Sequence, residues 1–398
     1  MTALDDPSEN LARLIRCPSV TPVEGGALQT LQTMLEPLGF TVSRPVFRED
    51  GTPDVENLFA RSGEAGPHLA FAGHTDVVPP GAGEDWSVHP FGGEIRDGML
   101  YGRGAVDMKG GIACFVAALA RLAARGEMPA GQVSLLITGD EEGPAVNGTV
   151  KLLSWAAERG ERFDACVVGE PTSRAQLGDM MKIGRRGSLS GILTVFGRQG
   201  HVAYPDRADN PVRGVLTLLD ALLSTPLDEG NERFQPSNLE VTTIDVGNPS
   251  VNVIPARATA AFNIRFNDHW DPDTLQAEIA RRLDRAAKDA RLRSGRDDPI
   301  HFAIDWKSGP AQVFLTRDEA LTRSLAEAIG AVTGRRPELS TSGGTSDARF
   351  VKDHCPVVEF GLVGQTMHMI DERVALADLE DLTRIYELFI TRWFYAQS

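Results

Sequence analysis

The chain has 398 residues, long for a single hydrophobic core, so two domains are the starting expectation; 42% of the residues are hydrophobic and 24% charged, as in an ordinary folded protein. A formal net charge of −15 argues against nucleic acid or an anionic membrane as partner, though it does not forbid a locally basic pocket for an anionic small molecule. No apolar stretch approaches the roughly 20 residues of a membrane span, and the first residues, MTALDDPSENLARLIRCPSV, lack the basic start and apolar middle of a signal peptide, so a cytoplasmic location is expected.

Residues 1–186 alternate apolar strand-like runs with helical stretches, the signature of an α/β layer with a mostly parallel sheet. The strands are expected at HLAFAG, QVSLLITGDE and DACVVG, and a helix over GGIACFVAALARLAARG closes at Gly126. GAGEDWSVHPFGGEI, rich in Gly and Pro, reads as a surface loop. From 187 to 311 the rhythm changes to strand SLSGILTVFG, helix NPVRGVLTLLDALLS, strands NLEVTTIDVG and ATAAFNIRF, helix DPDTLQAEIARRLDRAAKDARLRSG and strand HFAIDWK. That βαββαβ order matches a ferredoxin-like α+β unit inserted into the first domain. Residues 312–398 return to α/β character, with a helix near Glu319–Gly330, the strand PVVEFG and a closing helix over Leu376–Phe394. The widely spaced Cys17, Cys114, Cys166 and Cys355 show no C-x-x-C pair, and Cys114 and Cys166 read as small core residues.

Potential metal ligands cluster at the ends of these runs. His74, Glu142 and Glu170 each follow an apolar strand, His368 lies downstream of another, and Asp107 ends the turn GRGAVD before a helix. Open α/β sheets build sites outside the carboxyl ends of their strands, where residues distant in sequence converge. His74 and Asp76 share one face of a strand end, where a carboxylate suits the orientation of a bound imidazole. Glu141 and Glu142 reach one site only if the strand has already turned, which Gly139, Gly143 and Pro144 permit. Two divalent ions set against the carboxylates of Asp107, Glu142 and Glu170 would leave one positive charge, which a bridging hydroxide neutralises. Mixed nitrogen and oxygen ligation without thiolate fits catalytic zinc, and Glu141, adjacent to a ligand, is the natural general base. His68, His89, His269, His301 and His354 read as loop or surface residues and are assigned no role. No G-x-G-x-x-G follows an N-terminal strand, so dinucleotide chemistry has no support.

The strings GHTDVVPPG, GRGAVDMKGG, DEEGPAVNGT, VGEPTS, KIGRRGSLSG, GHVAYPDRADNPV, NVIPA, STSGGTSDARF and EFGLVGQTMH together resemble the dinuclear-zinc metallopeptidases that include aminoacylases, acetylornithine deacetylases and glutamate-type carboxypeptidases. RRGS, HVAYP-x-x-ADNPV and SGGTSDARF favour the branch that removes a succinyl group from a diaminodicarboxylic acid. The resemblance implies a zinc-peptidase-like catalytic domain with an inserted dimerisation domain, two Zn²⁺ per subunit with Co²⁺ or Mn²⁺ as substitutes, and a homodimer acting on a small-molecule substrate. It implies that His74 and Glu170 hold one ion and Glu142 and His368 the other, that Asp107 bridges and precedes a cis peptide, and that Asp76 orients His74. It makes Glu141 the catalytic base and His201 the oxyanion donor, reaching a neighbouring subunit's site, with Tyr204 contacting substrate beside it. Substrate selection would fall to Arg185, Asn252, Arg265, Ser342, Gly344 and Thr345; arginine suits paired recognition of carboxylates. Two stretches depart from the family pattern: QTM precedes His368 where an Asn-x-Thr sequence is common, and Met369 stands where Lys is frequent.

Overall fold

The computed structural model describes residues 4–294, 298–307 and 309–397. The chain forms two compact units: one from residues up to Ile183, Leu315–Ser340 and Ser346 onward, the other from Gly184–Phe314 and Thr341–Thr345. Sequence periodicity put the insertion at 187–311; the compact unit extends three residues beyond at each end and takes in a further short segment, 341–345.

The first unit is built on an eight-stranded sheet in the order Thr41–Ser43, Leu58–Ser62, Gln132–Thr138, His68–His74, Ala165–Val168, Val357–Glu359, Met180–Lys182 and Glu338–Ser340. Its centre is parallel: His68–His74 runs between Gln132–Thr138 and Ala165–Val168, with His74 opposite Thr138 and Ala72 opposite Val168. Antiparallel pairs join Thr41–Ser43 to Leu58–Ser62 and Leu58–Ser62 to Gln132–Thr138. Every residue of HLAFAGH is buried, as a strand covered on both faces requires. The helix Lys109–Arg125, apolar around nearly its whole circumference, lies against the helices Pro7–Ile15 and Leu376–Gln397 and ends at Gly126 in the left-handed conformation that glycine accepts without strain. Phe71 stacks on Phe115 at 4.2 Å between ring centroids, and Tyr386 closes the cluster edge-on while donating to the carbonyl of Phe360 at 2.7 Å. Burying each such aromatic is worth about 1.5–3 kcal/mol.

Two glycines at strand ends are dictated by close approach. A Cβ on Gly73 would lie 2.3 Å from the Met108 methyl carbon, and one on Gly169 would meet the Phe71 ring at 2.4 Å and Met108 at 2.8 Å. Met108, joined to Asp107 through a cis peptide, therefore fits beneath the strand ends only because both neighbours lack side chains.

The second unit is a four-stranded antiparallel sheet in the order Asn238–Asp245, Arg257–Phe266, Gly187–Phe196 and His301–Trp306, with helices Pro211–Leu223 and Pro272–Ser294 supplying the apolar cover. Strict alternation of buried and half-buried residues along Gly187–Phe196 shows that one face alone is packed. Among the described residues no helix is long and apolar enough to cross a membrane. His68 corrects the surface reading: it begins a central strand, is buried, and its Nε2 lies 2.7 Å from Ser134 Oγ.

Candidate metal centre

The parallel register sets three ligand-bearing segments at one level. His74 is the last residue of its strand; Glu142 follows the neighbouring strand after Gly139 turns the chain, and Glu170 follows Val168 on the other side. Asp107 enters from the turn before the helix Lys109–Arg125, and His368 from the loop after Val357–Glu359. All five lie in the first unit.

The two histidines point the same nitrogen at opposite oxygens of one carboxylate. His74 Nε2 lies 3.1 Å from Asp107 Oδ1 and 3.6 Å from Glu170 Oε1. His368 Nε2 lies 3.2 Å from Asp107 Oδ2 and 2.8 Å from Glu142 Oε1. Three sets therefore gather their ligand atoms within 4.8 Å: His74–Asp107–Glu170, Asp107–Glu142–His368 and His74–Glu141–Glu142. Asp107 belongs to the first two, which is the geometry of a bridge.

Asp76 meets His74 through its backbone carbonyl and its carboxylate at different distances. His74 Nδ1 is 2.9 Å from the backbone carbonyl of Asp76 and 3.6 Å from its carboxylate. That carboxylate accepts from the backbone N–H groups of Glu141 at 3.2 Å and Glu142 at 3.0 Å. It ties the Glu141–Glu142 turn to the strand that carries His74.

The electrostatics show a cluster with more negative charge than its burial tolerates. Burial pushes the Glu170 carboxyl well above the usual range, reinforced by Asp107. Glu141 is pushed up to about 8, by burial first and then, against the pull of His74, by Asp347, Asp107 and Glu142. Burial likewise brings Asp76 up to about 6 despite its backbone donors. Burial opposes charge on His74, yet the hydrogen bond to Asp107 and the nearby Glu170 and Glu141 raise it well above 6.5. Hydrogen bonds to Asp107 and then Glu142 bring His368 up to about 10. Asp107 itself is lowered: burial works against its charge, and the hydrogen bonds from His368 and His74 outweigh it. A donor set of two imidazoles and several carboxylates that retains protons for charge balance fits divalent ions, which would replace those protons.

Lys109, at the foot of the same helix, is fully buried; its Nζ donates to the carbonyls of Leu14 at 3.0 Å and Cys17 at 2.8 Å. Burial lowers its ammonium to about 8. Arg103 and Glu372, assigned nothing from sequence, form an ion pair of 2.7 Å with side chains 3% and 0% exposed.

The remaining candidates all lie in the second unit. His201 is exposed, accepts from the Ala203 N–H through Nδ1 at 3.1 Å, and sits 5.8 Å from the exposed Tyr204 ring. The carbonyl of Asn252 accepts from Val202 N at 3.0 Å, and the short strand Val253–Ile254 pairs with Gly200–His201, so Asn252 and His201 are neighbours. Arg185 donates to the carbonyl of Gly344 at 2.8 Å, which links it to the segment holding Ser342, Gly344 and Thr345. Arg265 lies on Arg257–Phe266 opposite Ser188 and Asn238.

A model of the peptidase family M20/M25/M40 matches residues 70–392. Among solved structures, human carnosine dipeptidase 1 aligns with a TM-score of 0.72 at 19% identity, covering 98% of this chain and 96% of that one. An M20 family metallo-carboxypeptidase from Sulfolobus solfataricus gives 0.73 at 17% identity, covering 98% and 99%. The aminopeptidase PepT of Bacillus cereus gives 0.75 at 17%, covering 98% of each chain. At these identities the structures establish a shared fold. The family match, spanning every ligand found above, establishes more: this chain belongs to peptidase family M20/M25/M40 and is a metal-dependent hydrolase.

Proposed function

We propose that the chain hydrolyses the succinyl amide of N-succinyl-LL-2,6-diaminopimelate, releasing succinate and LL-2,6-diaminopimelate, in the manner of a succinyl-diaminopimelate desuccinylase. The observation that carries the reaction type is the convergence of His74 and His368 on the two oxygens of Asp107, with Glu141 within 4.8 Å of His74 and Glu142. His74, Glu170 and Asp107 would hold one divalent ion and Glu142, His368 and Asp107 the other, zinc by the donor set, with cobalt or manganese as substitutes. Ions bound there supply Lewis acidity and lower the pKa of water.

The chain's own residues do the rest. The Glu141 carboxylate takes a proton from the attacking water and delivers it to the leaving amine nitrogen, a role suited to a carboxylate placed next to the ligand Glu142. The Asp76 carboxylate, through the N–H groups of Glu141 and Glu142, holds that base in place. His201, contributed in this reading by a second copy of the chain, donates to the oxyanion, and Tyr204 and Asn252 flank it. Arg185 and Arg265 pair with substrate carboxylates, and the Arg185–Gly344 bond presents the 341–345 segment beside the guanidinium. The substrate carries three carboxylates and the chain is acidic overall, so local arginines are the more necessary for its recognition.

A second reading, cleavage of a short peptide, is favoured by the exposed apolar side chains of Met367, Met369 and Ile370 around His368, and by the di-, amino- and carboxypeptidases sharing the fold. Assays of the zinc-loaded protein on succinyl-LL-diaminopimelate, N-acetylornithine and an alanyl dipeptide separate the two. The expected kcat/KM is at least about 10⁴-fold higher for the succinyl substrate, the size of discrimination that unpaired polar groups in a site impose. A preference for either competitor overturns the substrate assignment.

A further inference from the structure

We propose that Arg103 and Glu372 are a positioning pair that fixes Asp107 relative to His368 and thereby sets cation affinity on the His368 side of the centre. The inference rests on the metal reading above and concerns two residues outside the ligand set.

The bonds of this buried pair go to the segments carrying those two ligands. Arg103 Nη1 donates to Glu372 Oε2 at 2.7 Å and to the Met369 carbonyl at 3.2 Å; Nη2 donates to the His368 carbonyl at 3.4 Å and the Pro79 carbonyl at 3.5 Å. Glu372 Oε1 accepts from the backbone N–H groups of Val106 at 2.8 Å and Asp107 at 3.2 Å. The guanidinium also lies 5.3 Å from the centre of the Trp86 ring, whose own N–H is spent on the Pro80 carbonyl at 2.9 Å. One carboxylate thus grips the Asp107 turn by its N–H groups, and its partner grips the His368 loop by its carbonyls.

The loop needs such a grip. His368 and Asp371 both have positive φ, 61° and 55°, an uncommon backbone for non-glycine residues, although His and Asp accept it more readily than most. Ser87 N donates to Asp371 Oδ1 at 2.8 Å and steadies the far end. A buried ion pair is a poor way to add stability, because desolvating both charges consumes most of their attraction. Its placement between two ligand backbones gives it a different use. His74 ends a central strand, and the pair reaches its side of the centre only through Asp107, whereas on the other side it holds both Asp107 and the His368 loop.

The test is calorimetric titration of Zn²⁺ into metal-stripped protein. Wild type is compared with Arg103→Lys, which keeps the charge but loses the fork, and Glu372→Gln, which keeps an acceptor for Val106 and Asp107. His368→Ala identifies which binding event belongs to the loop side. The expected result is two events in wild type and, in both variants, a tenfold to hundredfold weakening of the event lost in His368→Ala with the other weakened clearly less. Circular dichroism checks folding. Should a single variant unfold, the double replacement Arg103→Met with Glu372→Met leaves no unpaired charge and is expected to weaken the same event. Two wild-type affinities in a folded variant, or equal weakening of both events, overturns the positioning role. A wild-type protein that binds no Zn²⁺ instead overturns the metal reading on which the role depends.

Discussion

His74 and His368 present the same nitrogen to the same aspartate and are held there by opposite means. His74 is 1% exposed, fixed by a strand whose every residue is buried and whose register with two parallel neighbours leaves it no freedom. His368 has a side chain 44% exposed and a backbone in the left-handed region, held by hydrogen bonds to a guanidinium. A ligand on a strand end is placed by the fold itself. One on a loop needs its own anchor, and it is the member whose position can be tuned without rebuilding the core.

The comparison can be bypassed, sharpened or broken by experiment. The largest effect is expected at Glu141, which belongs to neither side: Glu141→Ala should retain its zinc by elemental analysis while kcat falls about 10²–10⁴-fold. Substantial turnover in that zinc-loaded variant removes Glu141 as the base. Next come the histidines, compared with zinc bound at saturating concentration. Each replacement loses one ligand, but only His74→Ala also opens a hole at a buried strand end, and it should cost roughly 1–3 kcal/mol of stability more than His368→Ala. Equal losses in denaturant unfolding would erase the distinction between strand-held and loop-held ligands.

The smallest effect is a pH slope in the metal-free protein. His368, raised to about 10 from 6.5, and Glu141, raised to about 8 from 4.5, bind more protons folded than unfolded. Stability is therefore fully present below the unfolded values and is lost as pH rises through about 8 and then about 10. Asp107, lowered, acts with the opposite sign, but its contribution is already complete above 3.8 and does not alter this window. Melting temperature should accordingly fall from pH 5 to pH 10 without metal and stay nearly level with zinc bound. His368→Asn should remove the part above about pH 8; an unchanged slope in that variant would show that the loop histidine carries no such proton.

The strand-side ligands were legible in the sequence for a physical reason. HLAFAGH, QVSLLITGDE and DACVVGE are buried parallel strands, and the ends of neighbouring parallel strands must meet. The βαββαβ order of the second unit was readable because its long strands and amphipathic helices carry clear periods. His368 had the weakest signal: eight residues separate it from Val357–Glu359 and its own backbone is left-handed, so its strand-end context was the least distinct of the five. The sheet made of Glu94–Arg96, Met99–Tyr101 and Arg373–Ala375 was not legible either, since strands of three residues are too short to show alternation. Arg103 and Glu372 lie 269 residues apart, and separately each looks like a solvated charge in a turn. For Asp76, which of its oxygens faces His74 depends on backbone path, which spacing does not specify.

The Lys109 ammonium makes the first helix part of the site's foundation. Its acceptors, the carbonyls of Leu14 and Cys17, lie where the helix Pro7–Ile15 ends. Trimming that helix would touch no ligand and no substrate contact. It would nevertheless strand a buried cation two residues from Asp107, where an unpaired charge is costly. Fusion tags and truncations at that end are therefore chemical interventions, and a variant library built for solubility should begin beyond the reach of those two carbonyls.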